Sequence, residues 1–274
     1  MMRFPPRLLW DLARVRIAQK LFGASSNPLV LRLDLSEFRD DSGAARPDRT
    51  DPPEDVSSRD AQALSLVQAS SAPIAWIGGD SPLQHVRIGH LAREIVNCGR
   101  TVFVEMDGTL LRRRIHEFRP VSRLYLVLPL HGLEDAHDSR AQQSGNFRAT
   151  MEALRTARLS GFHICIETTI FPDSDKTELI ALANFISTLG VDGWIHKRPA
   201  SAVNDKAASA ALQSARNLIP SQHWRTFSEL LDSTTTPSQP SFEKKLTANP
   251  VIQIVEKVPT RDTPKAHEEG LRAL

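Results

Sequence analysis

Six short runs of almost uninterrupted apolar residues recur along the middle of the chain, and a helical stretch follows each of the first five. The runs are Leu29–Leu35, Pro73–Ile77, Thr101–Met106, Arg123–Pro129, Phe162–Thr169 and Val191–His196. A run such as Leu124-Tyr125-Leu126-Val127-Leu128 has no polar alternation, which marks a strand covered on both faces. The stretches between them, at about 57–70, 86–98, 109–118, 146–160 and 175–189, have helical length. In the second of these, Ile88, Leu91, Ile95 and Val96 share one face. Strands alternating with helices of this size make βα units, and successive βα units make a parallel sheet. The architecture expected is therefore α/β. After the sixth strand the pattern predicts helices at 203–217 and 224–231. From Asp232 the chain reads as a flexible linker rich in Ser, Thr and Pro. One strand-like run, Val251 to Val255, suits a mobile tail better than a docked edge.

Composition narrows the function classes. A formal net charge of +2 on 274 residues offers no field for wholesale nucleic-acid binding. No segment approaches the roughly 18 consecutive apolar residues of a membrane span. Residues 7–22 form a basic amphipathic helix rather than a secretory signal, because Arg7, Arg14, Arg16 and Lys20 interleave with Leu8, Leu9, Leu12, Val15, Ala18, Leu21 and Phe22. Packing of that helix on the body is the expected role, and contact with a membrane surface is the alternative. The expected division is 1–26 for the N-terminal helix, 27–231 for the body and 232–274 for the tail. Only two cysteines occur, Cys98 and Cys165. They read as thiols of a reducing, cytoplasmic compartment, and they are too few for any self-contained site of three or four thiolates.

Several motifs then fall in a telling order. The first strand follows Asn27-Pro28, and the second ends in the turn Gly78-Gly79-Asp80-Ser81-Pro82. The third leads into Asp107-Gly108-Thr109-Leu110-Leu111. The fourth is followed by His131-Gly132-Leu133-Glu134-Asp135-Ala136-His137-Asp138 and then by Gly145-Asn146-Phe147. This order resembles that of the radical SAM superfamily, most nearly its hopanoid-biosynthesis adenosyl transferases, over about residues 8–200. The resemblance implies a partial (β/α)6 barrel of the TIM type, open on one side, with its site at the carboxyl ends of the strands.

It also implies a [4Fe–4S] cluster held by a Cys-x3-Cys-x2-Cys run after the first strand. Thiolates are the soft ligands that hold and tune such iron. Here the equivalent stretch, Ser36 to Arg46, contains no cysteine, so the chain's own cluster is not expected. The acidic, Pro-rich segment 36–55 is expected to be a mobile loop. In the resembled family the glycine turn receives the methionine amine of S-adenosylmethionine, which makes Gly78, Gly79, Asp80 and Ser81 the candidate cofactor-binding residues. The competing expectation is a tight strand-to-helix turn capped by Asp or Ser.

His131 and His137, with Glu134, Asp135 and Asp138, form a candidate metal site without a known ligand spacing. Arg112-Arg113-Arg114 reads as a solvated helix face, with phosphate contact as the alternative. The function expected is that of a degenerate, cluster-less pseudoenzyme. It would serve as a binding or accessory subunit beside an intact radical SAM paralogue or a pathway enzyme. Two alternatives remain: an active radical SAM enzyme with cluster ligands from elsewhere, acting on an apolar substrate, and a metal-dependent barrel enzyme using His131 and His137.

Overall fold

The computed structural model describes residues 2–22, 28–34, 54–79, 85–199, 202 and 205–233. Most of the expected loop at 36–55, the turn residues Asp80 and Ser81, and the tail with its 251–255 run lie outside the described residues. The elements are α1 (Pro6–Phe22), β1 (Val30–Asp34), α2 (Glu54–Ala69), β2 (Ile74–Gly78), α3 (Ile88–Asn97) and β3 (Thr101–Glu105). They continue with α4 (Gly108–Arg114), β4 (Leu124–Pro129), α5 (Glu134–Ala141), α6 (Asn146–Leu159), β5 (His163–Thr169), α7 (Lys176–Leu189), β6 (Gly193–Lys197), α8 (Lys206–Arg216) and α9 (Gln222–Ser233). The six strands pair in sequence order, every pair parallel. The sheet curls into a half-barrel of the partial TIM type.

Both faces of the sheet are buried. The outer face (Ala75, Ile77, Val102, Val104, Leu126, Leu128, Ile164 and Ile166) belongs to one core with Ile88, Leu91 and Ile95 of α3, Ala153 and Leu154 of α6, and Leu182 and Ile186 of α7. On the concave face the register aligns Trp76, Phe103 and Tyr125 on neighbouring strands. Their rings stack at centroid distances of 5.3 and 4.9 Å. Asp107, Asp175 and Asp205 each accept a backbone N–H two residues on, which starts α4, α7 and α8.

A half-barrel has two unpaired edges, and α9 serves both. Ser228 Oγ accepts from the backbone N–H of His196 on β6 at 3.0 Å and donates to the same residue's carbonyl at 2.8 Å. At the other edge Arg32 of β1 donates to the carbonyl of Leu231 at 3.2 Å. Between these contacts Phe227 meets Phe103 at 5.3 Å and Trp224 at 5.5 Å. Arg198 and Arg216 both pair with Asp232, at 2.8 and 3.0 Å.

Several boundaries differ from expectation. α2 begins at Glu54, so Glu54 and Asp55 belong to its first turn rather than to the loop. The helix expected at 109–118 stops at Arg114 and tightens into a 3₁₀ turn over Ile115–Glu117. β6 lies later than expected, at Gly193–Lys197, because the Asp192 carboxylate takes the N–H of Ile164 at 2.8 Å in place of a ladder bond. A separate helix, α5, forms within the acidic-histidine segment. On α1, Leu8 is buried and Leu12 and Val15 pack on the core, whereas Ala18 is exposed. Truncating Phe227 to Ala is expected to cost roughly 3–5 kcal/mol in urea unfolding, because the ring is enclosed on three sides by aromatics.

Candidate functional site

Side chains alternate along a strand, so the concave face above the aromatic row presents the next residues toward the carboxyl ends. Asp34 pairs with Gly78, and Glu105 shares a row with Val127, Cys165 and Gly193. Glu167 pairs with Pro129 and Ile195, and Lys197 lies opposite Thr169 at the very end of β6. Three charged side chains from β3, β5 and β6 thereby converge inside the half-barrel.

Lys197 Nζ contacts the Glu167 carboxylate directly and lies 3.9 Å from Glu105 Oε1. The indole N–H of Trp76 donates to the same Glu105 oxygen at 2.7 Å. The Arg32 guanidinium sits over the Trp76 ring, 5.6 Å from its centroid. Gly78, the last residue of β2, makes room for this arrangement, since a Cβ there would stand 2.9 Å from Glu105 Oε2. Gly79 follows with φ of +120°, a conformation that L side chains rarely adopt, so the chain leaves the strand through a turn that requires glycine.

Burial pushes the Glu167 carboxyl up, against the Lys197 ammonium that favours its charge. Burial works against the Lys197 ammonium too, but the two facing carboxylates overcome it and hold the proton above the ordinary lysine range. Chemically, such a cluster can pair with an ammonium or a carboxylate of a small zwitterion, but only by displacing a partner already in place.

The other candidates separate. Gly78 and Gly79 do end β2 at the mouth; their companions Asp80 and Ser81 lie outside the described residues. His131 and His137 sit close, with ring centroids 5.7 Å apart, and the Nδ1 of each accepts from a backbone N–H, while His137 Nε2 is buried without a hydrogen-bond partner among the described residues. Thr169 N–H donates to His131 Nδ1 at 3.3 Å, and His131 N–H donates to His137 Nδ1 at 3.2 Å. Desolvation lowers the His131 pKa to about 4, with the neighbouring His137 adding to the shift, so both rings stay neutral. Asp138 caps α6 through the N–H groups of Gly145 and Phe147, at 2.6 and 2.7 Å, and Glu134 pairs with Arg148 at 3.6 Å. Among the described residues no group of three or more His, Cys, Asp or Glu is arranged to hold a metal. The segment is a structural joint between β4 and α6.

Of the arginine triplet, Arg112 pairs with Glu152, and Arg114 pairs with Glu117 at 2.6 Å while donating to the carbonyls of His85 and Val86. Two of its three guanidinium groups are thus committed to protein partners.

Neither thiol is offered to a ligand at the mouth, although Cys165 shares the row of Glu105 inside the half-barrel. Cys165 is fully buried in mid-strand, where desolvation pushes its pKa far up. Cys98 follows α3 at the turn into β3, the amino end of the strands. Residue order missed Glu105, Glu167 and Lys197, although a charge closing an apolar strand run was the available signal.

A family model described as the radical SAM superfamily matches residues 41–186, more than half of the chain. The chain belongs to the radical SAM superfamily. No curated protein matches it significantly. Among solved structures, Streptococcus suis SuiB bound to S-adenosylmethionine is similar at 16% identity and a TM-score of 0.49, over 72% of this chain and 47% of SuiB. Archaeal TYW1 is similar at 12% identity and a TM-score of 0.40, over 69% of this chain and 80% of that one. The chain thus spans just under half the length of SuiB. No helix among the described residues is long and apolar enough to cross a membrane.

The buried histidines set a pH dependence. His131 in the folded chain titrates near 4, and His196, desolvated on the outer face of β6, near 3, against 6.5 when unfolded. Below about 6.5 the unfolded chain takes up protons that the folded chain refuses, so stability falls with pH through that window. Urea unfolding between pH 6.5 and 4 is expected to show this loss. His131→Asn, which keeps an acceptor for Thr169, should flatten part of it relative to the parent chain.

Proposed function

We propose that this chain is a degenerate member of the radical SAM superfamily, a binding or accessory subunit without a [4Fe–4S] cluster of its own. The position of its two thiols carries this reading. The three-cysteine run of the superfamily follows the first strand, and the segment from Ser36 to Arg46 has none. Cys165 is locked in the sheet and Cys98 lies at the opposite end of the barrel. The donors present do not fit the cluster, and no step of radical chemistry is derived through it.

S-adenosylmethionine would meet a mouth where Gly78 and Gly79 end β2 and where, among the described residues, Glu105 and Glu167 already face Lys197. Glu105, the carboxylate beside Gly78, already accepts from Trp76 and faces Lys197. A ligand ammonium arriving there gains an ion pair only by displacing existing ones, which makes net affinity small. The role that suits this geometry is support of an intact radical SAM paralogue or of another enzyme of the same pathway.

Anaerobic purification with iron and sulfide supplied, followed by iron and labile-sulfide analysis, tests the reading. A colourless, folded protein with no stoichiometric iron is the expected result. Brown protein with four iron and four sulfide atoms per chain, the composition of a [4Fe–4S] cluster, would overturn it.

A further inference from the structure

α1 carries a second apolar face that the half-barrel does not cover. Its inner face is Leu8, Leu12 and Val15, and its only acidic residue, Asp11, turns inward to pair with Arg123 at 2.9 Å. At about 100° per residue, Trp10 and Ile17 fall roughly opposite Leu8, two turns apart on one ridge. They are 68% and 56% exposed. Arg7 and Arg14 flank this ridge on one side, and Leu9 and Arg16 on the other; all three arginines are exposed. The exposed Arg119 and Val121 extend the surface on the connection into β4, beside Arg123.

We propose that this face is a docking surface for an anionic lipid membrane. An indole and an isoleucine bordered by arginines suit the headgroup boundary, where the rings sit shallowly and the guanidinium groups reach phosphate. Charge decides between occupants. A second copy seated here would set Arg7, Arg14 and Arg16 against their own counterparts, with no acidic side chain on the outer face of α1 to answer them. An anionic surface answers all three. The surface lies at the amino ends of the strands, because Arg123 directly precedes β4, so docking leaves the barrel mouth open to solution. This inference is independent of the fate of the iron site.

The chain carries its own reporter. Of its four tryptophans, Trp76, Trp194 and Trp224 are at most 1% exposed, so Trp10 alone meets solvent. Full-length protein is mixed with phosphatidylcholine vesicles with and without phosphatidylserine, and binding is read by flotation and by acrylamide quenching. The expected result is binding to the anionic vesicles with Trp10 blue-shifted and shielded, weakened by salt. A basic residue near an anionic surface is worth roughly a fivefold factor in partition, so the double change Arg14→Glu, Arg16→Glu should lower binding more than about tenfold. The double change Trp10→Ser, Ile17→Ser should also weaken it, and circular dichroism should stay unchanged for both because the positions are exposed. Absence of binding to anionic vesicles by the folded chain would overturn the proposal. Shielding of Trp10 that rises with protein concentration without vesicles would replace the membrane by a second copy.

Discussion

A parallel sheet that curls without closing must fill its interior and satisfy two edges, and the remaining features of this molecule answer that constraint. Toward the amino ends the filling is aromatic, with Trp76, Phe103 and Tyr125 stacked across three strands and Phe227 set against them. Toward the carboxyl ends it is ionic, with Lys197 between Glu167 and Glu105. Trp76 joins the two layers, since its ring belongs to the stack and its N–H to Glu105. The edges are held by one helix, α9, through Ser228 on β6 and the Leu231 carbonyl on β1.

Much of the fold was legible because buried parallel strands advertise themselves. All six runs became strands, in the order and direction read from the βα rhythm. Boundaries slipped where side chains substitute for backbone pairing, as Asp192 does before β6. The site was less legible. Histidines and acids between β4 and α6 have the composition of ligands, yet the Nδ1 atoms of His131 and His137 and the Asp138 carboxylate answer local backbone groups, a demand set by the fold and invisible in composition. Glu105, Glu167 and Lys197 are far apart in sequence, and only the curl of the sheet brings them together. Alternation along α1 was misjudged at Ala18, because the helix has two apolar faces rather than one.

The two ends of the barrel then have different characters. At the mouth, among the described residues, Lys197 stands between Glu167 and Glu105, and Cys165 lies buried in the row of Glu105. At the opposite end, apolar and basic side chains of α1 stand in solvent without a countercharge.

The central proposal is that the mouth does not hold S-adenosylmethionine, the cofactor that gives its superfamily its name, tightly. Titration calorimetry with S-adenosylmethionine on the intact chain addresses it most directly. The account predicts no binding heat at millimolar ligand. Tight binding that Asp80→Ala abolishes would contradict it and restore a working cofactor site.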